Sequence, residues 1–253
     1  MADVIFWTVT LDEQTPCAAF LQPFEAYLTP YELERLSMLR FPKRRAEWLH
    51  GRWTMKYLLR HSAGEYAALS ATLVQLKNEP EGMPYLEKMP EAKRLAVPIS
   101  ISHREHRAFC ALTTARSIRV GVDLELVEPR PPSFLQDFFT AQEYASGLAL
   151  SGLERDVWFT LLWSLKESVL KAVGKGLRLD TRSVEIKQVE DLPGALHESG
   201  WRQAFVVFEM HEAVQWRLWW RYQDHFVYTI AAGFAVDGEA PELVEVPPTL
   251  EGF

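Results

Sequence analysis

The sequence is poor in cysteine. Its 253 residues hold two, Cys17 and Cys110, with no CxxC pair and no zinc-ligand spacing. That excludes a disulfide framework and makes a reducing, cytoplasmic compartment the expectation. Long apolar runs are also missing. No stretch approaches the ~20 residues that a membrane-spanning helix needs. The opening MADVIFWTVTLDE has neither the basic start nor the apolar stretch of a signal peptide. Positive charge is in deficit, with 27 Lys and Arg against 34 Asp and Glu and a net charge of −7. This argues against non-specific binding to nucleic acid or to anionic membranes, but not against a local basic pocket for a phosphorylated small molecule. There is no G-x-S-x-G elbow and no HExxH helix. The stretch AVGKGL lacks the Walker A pattern, and Gly174 and Gly176 read as a helix stop.

What is present is a folding chain, 48% hydrophobic and 24% charged. Val4–Thr10 reads as a strand. In LTPYELERL, Thr29, Pro30 and Glu32 give a helix start, with a capping Thr, a first-turn Pro and Glu three residues after the cap. Ala46–His61 reads as a second helix. VPISISHREHRAFCALTTA alternates as two strands joined near His103–Arg107, and SIRVGVDLELV as a third. The second half repeats the plan. Thr140 and Glu143 stand in the same cap relation, and a long helix follows over about Asp156–Val173. Trp163, Lys166 and Gly174 lie 110 positions after Trp53, Lys56 and Gly64. The expectation is an α+β protein of two similar α/β-type halves related by a pseudo-twofold, residues 1–117 and 118–253. The acidic, proline-rich 237–253 is expected to be a surface tail.

Two segments carry the chemistry. Along the strand Val120–Val127, alternation puts Gly121, Asp123 and Glu125 on one face. Paired carboxylates suit a solvated edge, or a hard cation such as Mg²⁺ that also takes phosphate oxygens. In WSLKESVLKAVGKGL, Trp163, Glu167 and Lys171 form one stripe beside an apolar stripe of Leu162, Leu165, Val169 and Val173. Glu167 and Lys171 suit a surface ion pair, or half of an active site. Arg52 and Lys56 are expected to pair with acids between the halves.

Gly121-Val122-Asp123-Leu124-Glu125, followed by Trp163-Ser164-Leu165-Lys166-Glu167-Ser168-Val169-Leu170-Lys171, resembles the 4′-phosphopantetheinyl transferases of the larger, surfactin-synthetase-activating type. The resemblance continues in SISH (Ser100–His103), FFTAQEY (Phe138–Tyr144) and GKGL (Gly174–Leu177), and more loosely in TPYELERL and HGRWTMK. It implies a pseudo-twofold pair of halves binding coenzyme A. It also implies transfer of phosphopantetheine to a serine of an apo acyl, peptidyl or polyketide carrier protein, with release of adenosine 3′,5′-bisphosphate. By the same resemblance, Asp123, Glu125 and Glu167 would hold Mg²⁺ (or Mn²⁺) against the coenzyme A pyrophosphate. Glu167 would take the serine proton, and Lys171 would sit on the pyrophosphate. Ser102, His103 and Arg35 would meet the nucleotide end with its 3′-phosphate. Met83 stands where many relatives have a lysine, and Ser100 where asparagine is commoner. The carrier would dock on Phe134–Phe139 and the loop Gly176–Arg182. The competing reading is a non-catalytic coenzyme A or nucleotide binder of the same fold. Two halves in one chain make a monomer sufficient.

Overall fold

The structure is a computed structural model, and it describes residues 3–11, 23–62, 64–208 and 214–248. Cys17 and the last five residues lie outside this set. The chain divides into two units: unit 1 comprises Met1–Arg116 and Pro241–Phe253, and unit 2 comprises Ser117–Ala240.

Unit 1 begins with β1 (Val4–Leu11), then α1 (Pro30–Met38) and the long α2 (Pro42–His61). Five strands follow: β2 (Val74–Asn78), β3 (Pro84–Lys88), β4 (Lys93–Arg94), β5 (Ile99–Arg104) and β6 (Arg107–Thr113). β5 and β6 are the predicted hairpin, turning at Glu105 and His106. The last strand of the whole chain, β12 (Glu242–Glu245), also belongs here and pairs parallel with β1, giving the sheet order β12-β1-β6-β5. The expected surface tail is therefore in part a strand. Its backbone satisfies the open edge of β1, Val246 enters the core, and Tyr57 donates its hydroxyl hydrogen to the Pro247 carbonyl at 2.9 Å.

Unit 2 runs β7 (Arg119–Leu126), α3 (Pro132–Phe138), α4 (Ala141–Leu148), α5 (Gly152–Ala172), β8 (Val184–Val189), the short α6 (Leu192–Ala195), β9 (Arg202–Phe208), β10 (Val214–Gln223) and β11 (Phe226–Ala235). Its sheet has the order β7-β11-β10-β9-β8, antiparallel throughout. α5 lies across β7 and β11. Gly121 permits this close approach, because a Cβ at that position would stand 1.9 Å from the Ser168 carbonyl oxygen of α5. That contact also identifies the face of β7 toward α5 as the one bearing Asp123 and Glu125.

Each unit is knotted around one buried ion pair. In unit 1, Thr29 and Glu32 form the predicted capping box of α1. Glu32 does more than cap. Its Oε2 accepts from the Thr29 amide (2.9 Å) and from Lys56 Nζ (2.5 Å), while its Oε1 accepts from the Leu76 amide on β2 (3.0 Å). Lys56 Nζ also donates to the carbonyls of Tyr27 and Ala71. In unit 2 the same bonds recur. Glu143 caps α4 through Thr140, pairs with Lys166 Nζ at 2.9 Å, and accepts from the Ile186 amide on β8 at 2.9 Å. Lys166 also donates to the carbonyls of Thr181 and Val184. Lys56 and Lys166 are 2% and 0% exposed, so each ammonium lives entirely on protein acceptors, and burial lowers the pKa of both. The expectation for Arg52 and Lys56 is corrected here. Lys56 pairs with Glu32, and Arg52 Nε stands 3.9 Å from the same carboxylate, all within unit 1.

Removing one partner of such a pair strands a buried charge, at about 3–5 kcal/mol. Lys56→Met and Lys166→Met should each lower the denaturant-unfolding free energy by about that amount. Glu143→Gln combined with Lys166→Met should recover part of the loss. A cost below ~1 kcal/mol for both single variants, in urea melts, would refute the role assigned to the pairs.

Candidate functional site

The α5 stripe and the inward face of β7 meet in unit 2. Asp123 is 4% exposed, and its Oδ1 accepts from Lys171 Nζ at 2.6 Å. Lys171 thus pairs across to the strand, an alternative to the within-helix pair with Glu167 that its spacing allowed. Glu125 Oε1 accepts from the Trp163 indole N–H at 3.0 Å. Its Oε2 lies 3.3 Å from an Arg130 guanidinium nitrogen. Trp163 is fixed edge-on against Phe134 and Phe138, with ring centroids 5.0 and 5.1 Å away.

Glu167 is held differently. Its Oε1 is buried with no hydrogen-bond partner among the described residues. Burial pushes its pKa up to about 7; Lys171 opposes that shift, and the charges of Asp123 and Glu125 add to it. Among the described residues, no three His, Cys, Asp or Glu side chains converge as a ready-made metal site. The reason is visible in the pairings: Asp123 turns to Lys171, and Glu125 to Trp163 and Arg130. The donor set still fits a hard divalent cation. It is all carboxylate oxygen, Glu167 Oε1 is buried without a hydrogen bond, and a cation would offset the burial and the neighbouring negative charges that raise the Glu167 pKa.

The other predicted residues lie in unit 1. Ser102 is buried on β5. His103 is exposed, with Nε2 3.7 Å from Glu47 Oε2. Arg35 is exposed in the last turn of α1, and Glu32, its candidate partner on that helix, is taken by Lys56. Of the residues in the docking expectation, the aromatics are the ones the fold covers. Phe139 is buried, Phe134 and Phe138 pack on Trp163, and Arg182 is clamped by Asp180 at 2.8 Å. Lys175, Leu177, Arg178 and Arg182 are all exposed. Sequence reasoning missed Arg130. Its signal was its place, five residues after Glu125 inside the proline connector EPRPPS.

A strand of paired acids under a helix bearing Glu and Lys sets a carboxylate donor group beside an ammonium. The comparisons identify the family. The model of the 4′-phosphopantetheinyl transferase superfamily matches residues 119–231. The 4′-phosphopantetheinyl transferase HetI of Nostoc sp. is 30% identical over 178 residues, covering 69% of this chain and 70% of HetI. Sfp of Bacillus subtilis, also a 4′-phosphopantetheinyl transferase, is 29% identical over 134 residues, covering 53% of this chain and 56% of Sfp. Among solved structures, a holo-(acyl-carrier-protein) synthase from Bacillus anthracis in complex with CoA (3′,5′-ADP) matches 45% of this chain and 96% of its own. Its TM-score is 0.35 and its identity 21%. The chain belongs to the 4′-phosphopantetheinyl transferase superfamily.

The raised pKa of Glu167 carries a stability prediction. A carboxylate that holds its proton more tightly when folded contributes stability that is full below its unfolded value, 4.5, and is lost as pH rises through about 7. In chelator, Glu167→Gln should therefore gain stability over the natural protein as pH is raised from 4.5 to 8, by up to about 3 kcal/mol. A difference that stays flat across this range would refute the assignment.

Proposed function

We propose that this chain transfers the 4′-phosphopantetheine group of coenzyme A to a serine hydroxyl of an apo carrier protein and releases adenosine 3′,5′-bisphosphate. The observation that carries the proposal is the meeting of Asp123, Glu125, Glu167 and Lys171 on one face between β7 and α5, in a chain of this superfamily. Mg²⁺ or Mn²⁺, held by Asp123, Glu125 and Glu167, would supply Lewis-acid stabilisation of charge on the coenzyme A pyrophosphate.

The chain's own groups do the rest. Glu167 would accept the serine proton at its carboxylate as the hydroxyl attacks phosphorus. Lys171 brings a positive charge beside Asp123 and neutralises a pyrophosphate oxygen as the bond to the leaving bisphosphate breaks. Asp123 orients that ammonium. Trp163 fixes Glu125 through its N–H. In unit 1, Arg35 and His103 are assigned to the 3′-phosphate of coenzyme A, with Ser102 beside His103 on β5. Met83 adds no charge to that task. The apo carrier is assigned to the exposed Lys175–Arg178 segment, whose two cations suit an acidic partner.

The test is the intact mass of apo acyl, peptidyl and polyketide carriers after incubation with this protein, coenzyme A and Mg²⁺. A gain of one phosphopantetheine is expected, abolished by EDTA and reduced at least ~100-fold by Glu167→Ala. No gain on any carrier while coenzyme A still binds would leave the non-catalytic binder as the better reading. Arg178→Glu should raise KM for the carrier several-fold with KM for coenzyme A unchanged, and Arg35→Ala the reverse. Equal effects on both constants would refute these assignments.

A further inference from the structure

Arg130 lies outside the motifs of the superfamily resemblance and has a specific seat. Pro129, Pro131 and Pro132 flank it, and the last of these opens α3, so its backbone has little freedom. Its side chain is 14% exposed. One terminal nitrogen lies 3.3 Å from Glu125 Oε2 and the other 3.4 Å from Glu128 Oε1, with the guanidinium 5.3 Å above the Phe134 ring. Glu125 therefore has both oxygens engaged, but by unlike partners. Oε1 is held by the neutral N–H of Trp163, which aromatic packing fixes. Oε2 is held by a full positive charge that already has a second acceptor in Glu128. A cation approaching Glu125 meets that charge head-on.

We propose that Arg130 is a counter-ion latch on Glu125: it occupies this carboxylate in the metal-free protein, competes with the divalent cation for it, and passes to Glu128 when the cation arrives. Trp163 keeps the carboxylate aimed during the exchange, since packing on Phe134 and Phe138 fixes its N–H. Arg130 is then a positioning residue that holds the site closed to weakly bound cations. Glu128, 42% exposed in its side chain, is the receiving group. This inference rests on the metal reading of the site given above.

The direct test is Mn²⁺ binding by electron paramagnetic resonance, without coenzyme A or carrier, on the full chain. Arg130→Gln removes the competing charge, and Mn²⁺ should bind about tenfold more tightly. Arg130→Lys keeps the charge and should bind as the natural protein does. Glu128→Gln removes the receiving acceptor and should bind more weakly. Thermal melts in chelator establish that each variant is folded, and should Arg130→Gln fail to fold, Mn²⁺ binding by Glu128→Gln as tight as the natural protein's overturns the latch. Unchanged or weaker binding by folded Arg130→Gln overturns the latch. Equal Mn²⁺ binding by the natural protein and Glu167→Gln overturns the metal reading itself. Loss of binding in Glu167→Gln with no gain in Arg130→Gln overturns the latch alone.

Discussion

A lysine with no contact to water keeps its charge only if protein atoms replace the whole of its hydration. Lys56 and Lys166 meet that demand with the same arrangement, a capping glutamate and two backbone carbonyls each. The glutamate in turn binds the amide of its own helix start and the amide of a strand. One ion pair thus sets where a short helix begins, how the long helix is turned about its axis, and where the next strand lies. In unit 2 that rotation decides the chemistry. With Lys166 locked inward, the adjacent Glu167 projects toward β7, and Lys171, one turn on, reaches Asp123.

The same scaffold is put to two uses. At the 110-residue offset, Trp163, Glu167 and Lys171 correspond to Trp53, Tyr57 and His61. In unit 1 those three stack, Trp53 on Tyr57 at 5.2 Å and Tyr57 on His61 at 4.1 Å, and the Tyr57 hydroxyl is spent on the Pro247 carbonyl. On β1, Thr10 binds His50 and Thr54 at 2.6 Å each. At the offset positions unit 1 places an aromatic stack, while unit 2 keeps a buried carboxylate oxygen of Glu167 without a hydrogen bond and a raised pKa. Strain of that kind is retained where a ligand relieves it.

Local rules made much of this legible. The two capping boxes were visible in TPYE and TAQE because they span four residues. Alternation placed Asp123 and Glu125 on one face, and helical spacing aligned Glu167 with Lys171. What stayed hidden joins residues far apart in the chain. Glu143 read only as a cap, since nothing local reveals that its capping oxygen also meets a lysine of the next helix and its other oxygen the Ile186 amide. The same holds for the bond from Lys171 to Asp123. Phe134 and Phe138 looked exposed because α3 is too short for its pattern to name Trp163 as a partner. The strand Glu242–Glu245 was hidden by the acidic, proline-rich composition around it, although alignment with β1 needs only four backbone pairings.

The central claim is that unit 2 alone carries the metal-dependent chemistry, while unit 1 repeats its architecture without a metal site. Anomalous diffraction from crystals grown with Mn²⁺ and coenzyme A tests it most directly. The account predicts one Mn²⁺ peak bounded by Asp123, Glu125 and Glu167, and none beside Tyr57 and His61. A peak in unit 1, or a metal bound away from Glu167, would contradict it.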